Sequence, residues 1–458
     1  MPLTSLTIKG YRGFSAPARL NIAVPNGAPI SGLTVLTGSN NSGKSTIIEA
    51  LRYLARGNAP TFTEGKRNKA AGDRVFLRAE FGPTHFREIE TVATGGSESE
   101  IREDLPNPRP TIHALPSRRA ISPFFGRSQT SRSDFSTAWE IPTTRNSELS
   151  GFTGRLFVAL RERARFSPML ERILGHTVNW TIDQNDSSQH FVKFELNGAS
   201  HNSDGAGDGL MGAFCLADAF YDSVPGDIII IDEPELSLHP SLQRRAFNVI
   251  RELSKDRQII LSTHSPYFVP AAEDCGAGEI ARVARENGGC KIHQPDKSLT
   301  ARIAAFSLNW NNPHIFGFDA RQVLLGEDGI ILVEGQEDVV CYRAIAEQLG
   351  HQLADNFWGW GVGGAGNFAL IAEVLKEMGF TKVVGVLDAN QESTVAALAT
   401  QFPTFKFFQI PTNDVRTKQP ILAKPAVVGL LDANHRLDPS HRLAVQRLFD
   451  DVSQYLST

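Results

Sequence analysis

Several short stretches of the chain have an unbroken apolar core and stop abruptly on polar residues: LTVLT before a glycine-rich turn, DIIIIDEPELSLHP, IILSTHSP, GIILVEGQED and KVVGVLDANQE. Apolar runs without polar alternation read as strands of a parallel sheet covered on both faces, and such sheets bind ligands outside the carboxyl ends of their strands. The polar residues that close each run are therefore the first candidates for chemistry. Between the runs lie helical patterns. One opens directly after the first glycine turn, and another, GRLFVALRERARFSPMLERIL over residues 154 to 174, has helical spacing and an Arg-studded face, which reads as a surface helix or as an arm facing DNA or a partner. The fold class expected is α/β.

The patterning also divides the chain. Residues 1–90 alternate short apolar runs with turn residues, and regular α/β patterning returns over 200–320. In between, the composition shifts to Ser, Thr, Pro, Gly and Arg from about residue 90 to 150, so 91–199 is expected to be an inserted arm or dimerisation region. A further strand–helix series starts near residue 329, and 325–458 is expected to form a separate domain.

Composition adds little until it is localised. Of the 458 residues 41% are hydrophobic and 21% charged, with a net charge of −4, an ordinary globular balance that proclaims no nucleic-acid binder. Between Ile101 and Arg172, however, 12 Arg and no Lys face 7 acids, and Arg is the cation suited to bidentate phosphate contacts. From Glu327 onward, 16 acids outnumber 10 Lys and Arg. Cys215, Cys275, Cys290 and Cys341 are scattered without zinc spacing, as expected of reduced thiols. The opening MPLTSLTIKGYRGF lacks the form of a signal peptide and no run approaches 18 apolar residues, so a cytoplasmic protein with no membrane partner is expected.

The first apolar run leads into Gly38-Ser39-Asn40-Asn41-Ser42-Gly43-Lys44-Ser45-Thr46, which fits G-x-x-x-x-G-K-[ST] between a strand and a helix. Glycines let the backbone wrap a polyphosphate, Lys44 neutralises its β and γ charges, and Ser45 supplies a magnesium ligand. The run DIIIID ends on Asp232-Glu233, a magnesium-side acid followed by a general base for water. IILSTHSP repeats the arrangement with His264 at its tip. These segments resemble the Walker A, Walker B, D-loop (SLHP) and switch-histidine elements of the ABC-type ATPases of the SMC, RecF and OLD group. LTIKGYRGF resembles that group's first strand, and NSDGAGDGL its signature segment in the OLD-like form. The resemblance implies an ATPase head in which Ser203, Gly205 and Gly207 complete the ATP site of another subunit, so that ATP drives dimerisation.

A second group of acids follows. Glu334 ends one apolar run, Asp338 lies one helical turn later on the same side, and Asp388 ends KVVGVLD. Clustered carboxylates repel one another unless a hard cation sits among them, so Mg²⁺ or Mn²⁺ is expected. Gly361-x-Gly363-x-x-Gly366 also fits a dinucleotide fingerprint with Asp388 as its ribose acid, but that reading leaves Glu334 and Asp338 unexplained. Residues 329 to 392 resemble a Rossmann-like TOPRIM domain, whose pattern is E-G-x-x-D followed by D-x-D. The order ATPase then TOPRIM is similar to the OLD family of ATP-dependent endonucleases, which includes anti-phage effectors. It implies Glu334 as acid/base or metal ligand and Asp338 and Asp388 as metal ligands. Asn390 stands where the second Asp of the pattern is expected, and Asp414, Lys418, Lys424 or Asp432 could complete the site.

The expected function is ATP-gated, metal-dependent DNA cleavage by a homo-oligomer, with DNA and a partner defence protein as partners. The rival is an ATPase sensor that binds nucleic acid or a partner without cutting.

Overall fold

The computed structural model describes residues 1–55, 58–92, 96–105, 108–138, 148–196, 199–270, 277–286, 288–300, 302, 318–326, 328–351, 357–420, 426–432 and 434–457. Cys275 and Lys424 lie outside them. Two compact units are present, Met1–Pro270 with Gly276–Gln294, and Ala271–Cys275 with Pro295–Thr458. Among the described residues no helix is long and apolar enough to cross a membrane.

The first unit is built on a six-stranded sheet. Its order is Gly289–His293, Glu279–Glu286, Leu33–Thr37, Gln258–Ser262, Ile228–Asp232 and Ile112–Leu115. Every pairing is parallel except that of the Gly289–His293 edge. The strands Leu33–Thr37, Gln258–Ser262 and Ile228–Asp232 are buried at all positions, which is why their sequences run apolar without alternation. A five-stranded antiparallel sheet, ordered Ala18–Asn21, Leu3–Lys9, Phe76–Phe81, His85–Thr91 and Ser99–Asp104, and a three-stranded one, Ala199–Asn202, His190–Leu196 and Asn179–Gln184, complete the unit.

This arrangement corrects the expected boundaries. Residues 91–199 are not a separate arm, because Ser99–Asp104 extends the five-stranded sheet and Ile112–Leu115 is the edge of the central one. The stretch between Pro110 and Pro116, TIHAL, has three apolar residues interrupted by His113 and is too short a run to stand out in the sequence. The helix expected over 154–174 is two, Phe152–Arg161 and Arg163–Leu174, broken at Glu162, where ψ swings to 29°. The second helix drives Phe166 against Trp180, Phe214 and Tyr221. Part of the arginine run is internal structure. Arg155 is 1% exposed and bonds Asp218, Asp222 and Tyr221, and Arg132 joins the same acids.

The second unit begins near residue 295 instead of 320 to 325. Its parallel sheet has the order Ile330–Leu332, Val383–Leu387, Lys406–Gln409. Helices Gln336–Leu349, Phe368–Glu377, Glu392–Gln401 and Arg442–Ser457 accompany it. The aromatic stretch before the glycines forms one bridge, Phe357 to Ile331, instead of a strand. Cys215, Cys290 and Cys341 are free and buried.

Candidate functional site

In the first unit the carboxyl ends of three neighbouring strands bring the sequence-predicted groups together. Leu33–Thr37 leads into the glycine-rich loop, Ile228–Asp232 supplies the acids two strands away, and Gln258–Ser262 runs between them into His264. The loop needs its glycines. Gly38 has φ +127°, and a β-carbon there would lie 2.1 Å from the Val283 carbonyl. Gly43 has φ +114° and precedes the helix Lys44–Tyr53, whose amino end faces the loop. Asn40 and Asn41 are exposed on the loop, and the Ser42 hydroxyl is buried with no hydrogen-bond partner among the described residues.

Lys44 Nζ donates to the carbonyls of Gly38 and Ser39 at 2.9 and 2.8 Å. Burial lowers its pKa to about 8 against the opposing pull of Glu233, Asp232 and Glu235. Ser45 Oγ donates to Asp232 Oδ1 at 3.3 Å, and Ser262 Oγ donates to the same oxygen. Glu233 has φ +52°, and its Oε1 lies 4.0 Å from His264 Nε2. Burial, and then the Lys44 charge, lower the His264 pKa. Glu235 accepts from His264 N and from Thr263 Oγ1, so it holds the switch segment in place. Thr46, Asn41 and Gly43 line a cleft of about 820 Å³ that also carries Arg12, Lys66, Arg67 and Arg285, a cationic lining suited to a nucleotide. The hard oxygens of Ser45 and Asp232, already 3.3 Å apart, fit a magnesium ion.

The signature segment opens the helix Asp208–Tyr221, with Gly205 and Gly207 exposed before it. Ser203 is different. It is buried, donates to the Pro123 carbonyl at 2.7 Å and accepts from Val192 N, so its hydroxyl is committed within the fold. Gly209, in the first turn of that helix, packs against the SLHP segment, where a β-carbon would come within 2.7 Å of the Ser237 carbonyl.

In the second unit Glu334 and Asp388 follow adjacent parallel strands. Asp388 N donates to Glu334 Oε1 at 3.3 Å. Asp338 sits in the first turn of the following helix and accepts from Gly335 N at 2.9 Å. Burial raises all three carboxyl pKa values, Asp338 to about 6 and Asp388 to about 8, and mutual repulsion adds to it. Asp414, beyond the strand Lys406–Gln409, repels each of the three and is a fourth member of the group. Lys418 bonds Asp414 and Glu337 at 2.6 and 2.9 Å. Burial opposes the Lys418 charge, but those bonds outweigh it and raise its pKa.

Asp432 stands apart, bonding Asn434 N and Arg436 N in a turn, and Asn390 is exposed in the short turn after Asp388. The donor set is all hard oxygen, which fits Mg²⁺ or Mn²⁺. Among the described residues, though, no three His, Cys, Asp or Glu side chains are yet drawn together tightly enough to cage a cation. The glycine turn serves the same edge. A β-carbon at Gly361 would lie 2.6 Å from the Gly335 backbone, and Gly363 N and Gly364 N both donate to the Glu334 carbonyl. These glycines seat the acid-bearing strand end, which accounts for them without a dinucleotide.

Residues 33–269, more than half the chain, match the family described as "AAA domain, putative AbiEii toxin, Type IV TA system". The chain belongs to this AAA family. The match runs from the strand before the glycine loop to the segment after His264, so the AAA domain contains the glycine loop, Asp232, Glu233 and His264. Two curated relatives support the resemblance to the OLD group. "OLD nuclease" of Thermus scotoductus is 35% identical over 134 residues, 27% of this chain and 23% of that protein. "Old nuclease" of Escherichia phage P2 is 33% identical over 138 residues, 28% of this chain and 21% of that protein. The aligned part thus spans less than a quarter of either relative.

Solved structures similar to the chain include an SMC head domain from Thermotoga maritima, at 17% identity and TM-score 0.38 over 65% of this chain and all of that one. An SMC head bound to the C-terminal winged-helix domain of ScpA gives 14% and 0.42 over 65% and 98%. Those likenesses are loose, and the α/β assignment rests on the sheets themselves.

Sequence reasoning left Asp414 as one of four candidates, because it has no strand-end signal of its own, and missed Arg119, which the pairing of an edge strand brings to the Asp232-Glu233 turn.

Proposed function

We propose that the chain is an ATP-hydrolysing AAA protein of the OLD type whose second unit is a TOPRIM nuclease cutting DNA. The observation that carries the reading is the gathering of Glu334, Asp338, Asp388 and Asp414 at one parallel sheet edge in a chain whose AAA domain holds a complete P-loop set. In the AAA domain Lys44 neutralises the β- and γ-phosphates, and Glu233 takes the proton of the attacking water beside His264. Gly205 and Gly207 are exposed as a signature must be to reach nucleotide on a second copy, so ATP joins two heads, in a cytoplasmic homodimer or larger assembly.

In the second unit Glu334, Asp338, Asp388 and Asp414 would hold divalent cations, and Lys418 keeps a positive charge beside them. Bound there, such cations would supply an activated water and stabilisation of the leaving phosphodiester oxygen. Asn390 would contribute an amide oxygen without charge, which would weaken the hold on a second cation and favour Mn²⁺ over Mg²⁺. The resemblance to the OLD family, which includes anti-phage effectors, supports a role in defence.

The test is plasmid cleavage with Mg²⁺ or Mn²⁺, with and without ATP. Parent protein is expected to cut and Asp388→Ala not to, while ATP hydrolysis persists in both. Equal cutting by both proteins removes the reading. Asn390 and the open arrangement of the acids favour a second reading, an ATPase sensor that binds nucleic acid without cutting. That reading holds if the parent is silent with every metal and Asn390→Asp cuts.

A further inference from the structure

We propose that Arg119 is the positioning residue for Glu233. The edge strand Ile112–Leu115 pairs in parallel with Ile228–Asp232, Leu115 opposite Ile231, so the chain leaving it at Pro116 runs beside the acid turn. Arg119 then reaches back across that turn. One guanidinium nitrogen donates to the Pro116 and Asp232 carbonyls at 3.0 and 3.1 Å, and the other to those of Glu233 and Pro234 at 2.9 and 3.5 Å. A planar fork with fixed donors suits this row of carbonyls as a lysine ammonium does not.

The turn needs such a clamp because Glu233 has φ +52°, in the left-handed region that side chains other than glycine resist. Its amide is tied to the Ser262 carbonyl at 3.0 Å, which fixes the entry to the turn. Arg119 fixes the exit with charged donors. Relaxation of that backbone would swing the carboxylate away from the water it must deprotonate. The four bonds of Arg119 go to backbone carbonyls and none to the loop Gly38–Ser45, so its effect on hydrolysis runs through Glu233 and leaves phosphate binding to Lys44 and Ser45. Its neighbours Ser117 and Arg118 line a small cavity with Ser45 and Asp232, so one loop borders the phosphate side and clamps the base.

This inference rests on Glu233 being the base, and the test separates the two claims. In the whole 458-residue chain, Arg119→Met should keep ATP affinity within about twofold while kcat falls by about 10²-fold, the scale of a base misplaced by an ångström. Arg119→Lys should fall between the two. The double variant Arg119→Met, Glu233→Gln should be no slower than Glu233→Gln alone, since a residue acting through another adds nothing once that one is gone. Should Arg119→Met melt below the assay temperature, the same cycle with Arg119→Lys decides. Parental turnover in the Arg119 variant, a matching loss of ATP affinity, or a further independent loss in the double variant overturns the proposal. Parental turnover in Glu233→Gln alone overturns the underlying assignment instead.

Discussion

Lys44 is held where burial opposes its own charge, its ammonium resting on the carbonyls of Gly38 and Ser39 with a pKa of about 8. The ammonium is what phosphates need, so ATP affinity should weaken as pH rises through 8 and the lysine loses its proton. Lys44→Ala should lose at least about tenfold in affinity, from a charged hydrogen bond of about 1.5–3 kcal/mol. Calorimetry at pH 7 and 9.5 checks both, and a parental affinity in the variant would remove Lys44 from the site.

Asp388 titrates the other way. Its pKa is raised from 3.8 to about 8, so the folded chain holds a proton there that the unfolded chain releases near pH 4. Its contribution to stability is therefore full below pH 4 and is lost as pH rises to 8. If, as proposed, a divalent cation takes the place of that proton, the rise in melting temperature produced by Mn²⁺ should grow between pH 6 and 8.5 and shrink sharply in Asp388→Ala. Thermal melts across that window, with and without Mn²⁺, provide the comparison, and a metal shift independent of pH would detach Asp388 from the cation.

At the scale of elements, each site depends on a short connection that seats a strand end. The turn Gly361–Gly364 presses on Gly335 and caps the carbonyl of Glu334. Gly361→Ala combines φ +92° with a β-carbon 2.6 Å from the Gly335 backbone, a strain of about 1–3 kcal/mol. The variant should melt several degrees lower and lose DNA cleavage while keeping ATP hydrolysis. An unchanged melt would show that the turn can shift freely, and lost ATP hydrolysis would show that the damage spreads beyond the second unit.

The helix Arg163–Leu174 shows the opposite division of labour. Phe166, Leu170, Ile173 and Leu174 fill the core of the first unit, whereas Arg163 and Arg165 remain exposed at its start.

For the whole molecule, the decisive quantity is how ATP binding is linked to assembly. If the exposed Gly205 and Gly207 of one head close on the nucleotide of another, Glu233→Gln should bind ATP, hydrolyse it orders of magnitude more slowly and accumulate a dimer or larger species. Light scattering coupled to size exclusion, with ATP and with ADP, tests this. A variant that stays at the parent's ADP-state mass in ATP would limit each head to its own nucleotide.

The sequence alone determined the residues that close parallel strands, because the carboxyl ends of such strands share one edge whatever order the strands take in the sheet. A glycine loop between strand and helix, and acids at the ends of apolar strands, are local patterns, and Lys44, Ser45, Asp232, Glu233 and His264 converge as their spacing implied. Glu334, Asp338 and Asp388 were legible for the same reason, since strand ends of a parallel sheet share one edge. Tertiary structure decided whatever depends on pairing between distant segments. It assigned Ile112–Leu115 to the central sheet, committed Arg155 to Asp218 and Ser203 to Pro123, added Asp414 to the acids, and brought Arg119 to the turn of Glu233. An arginine bound to carbonyls and an arginine bound to phosphate have the same side chain, and only the fold shows which acceptors lie within its reach.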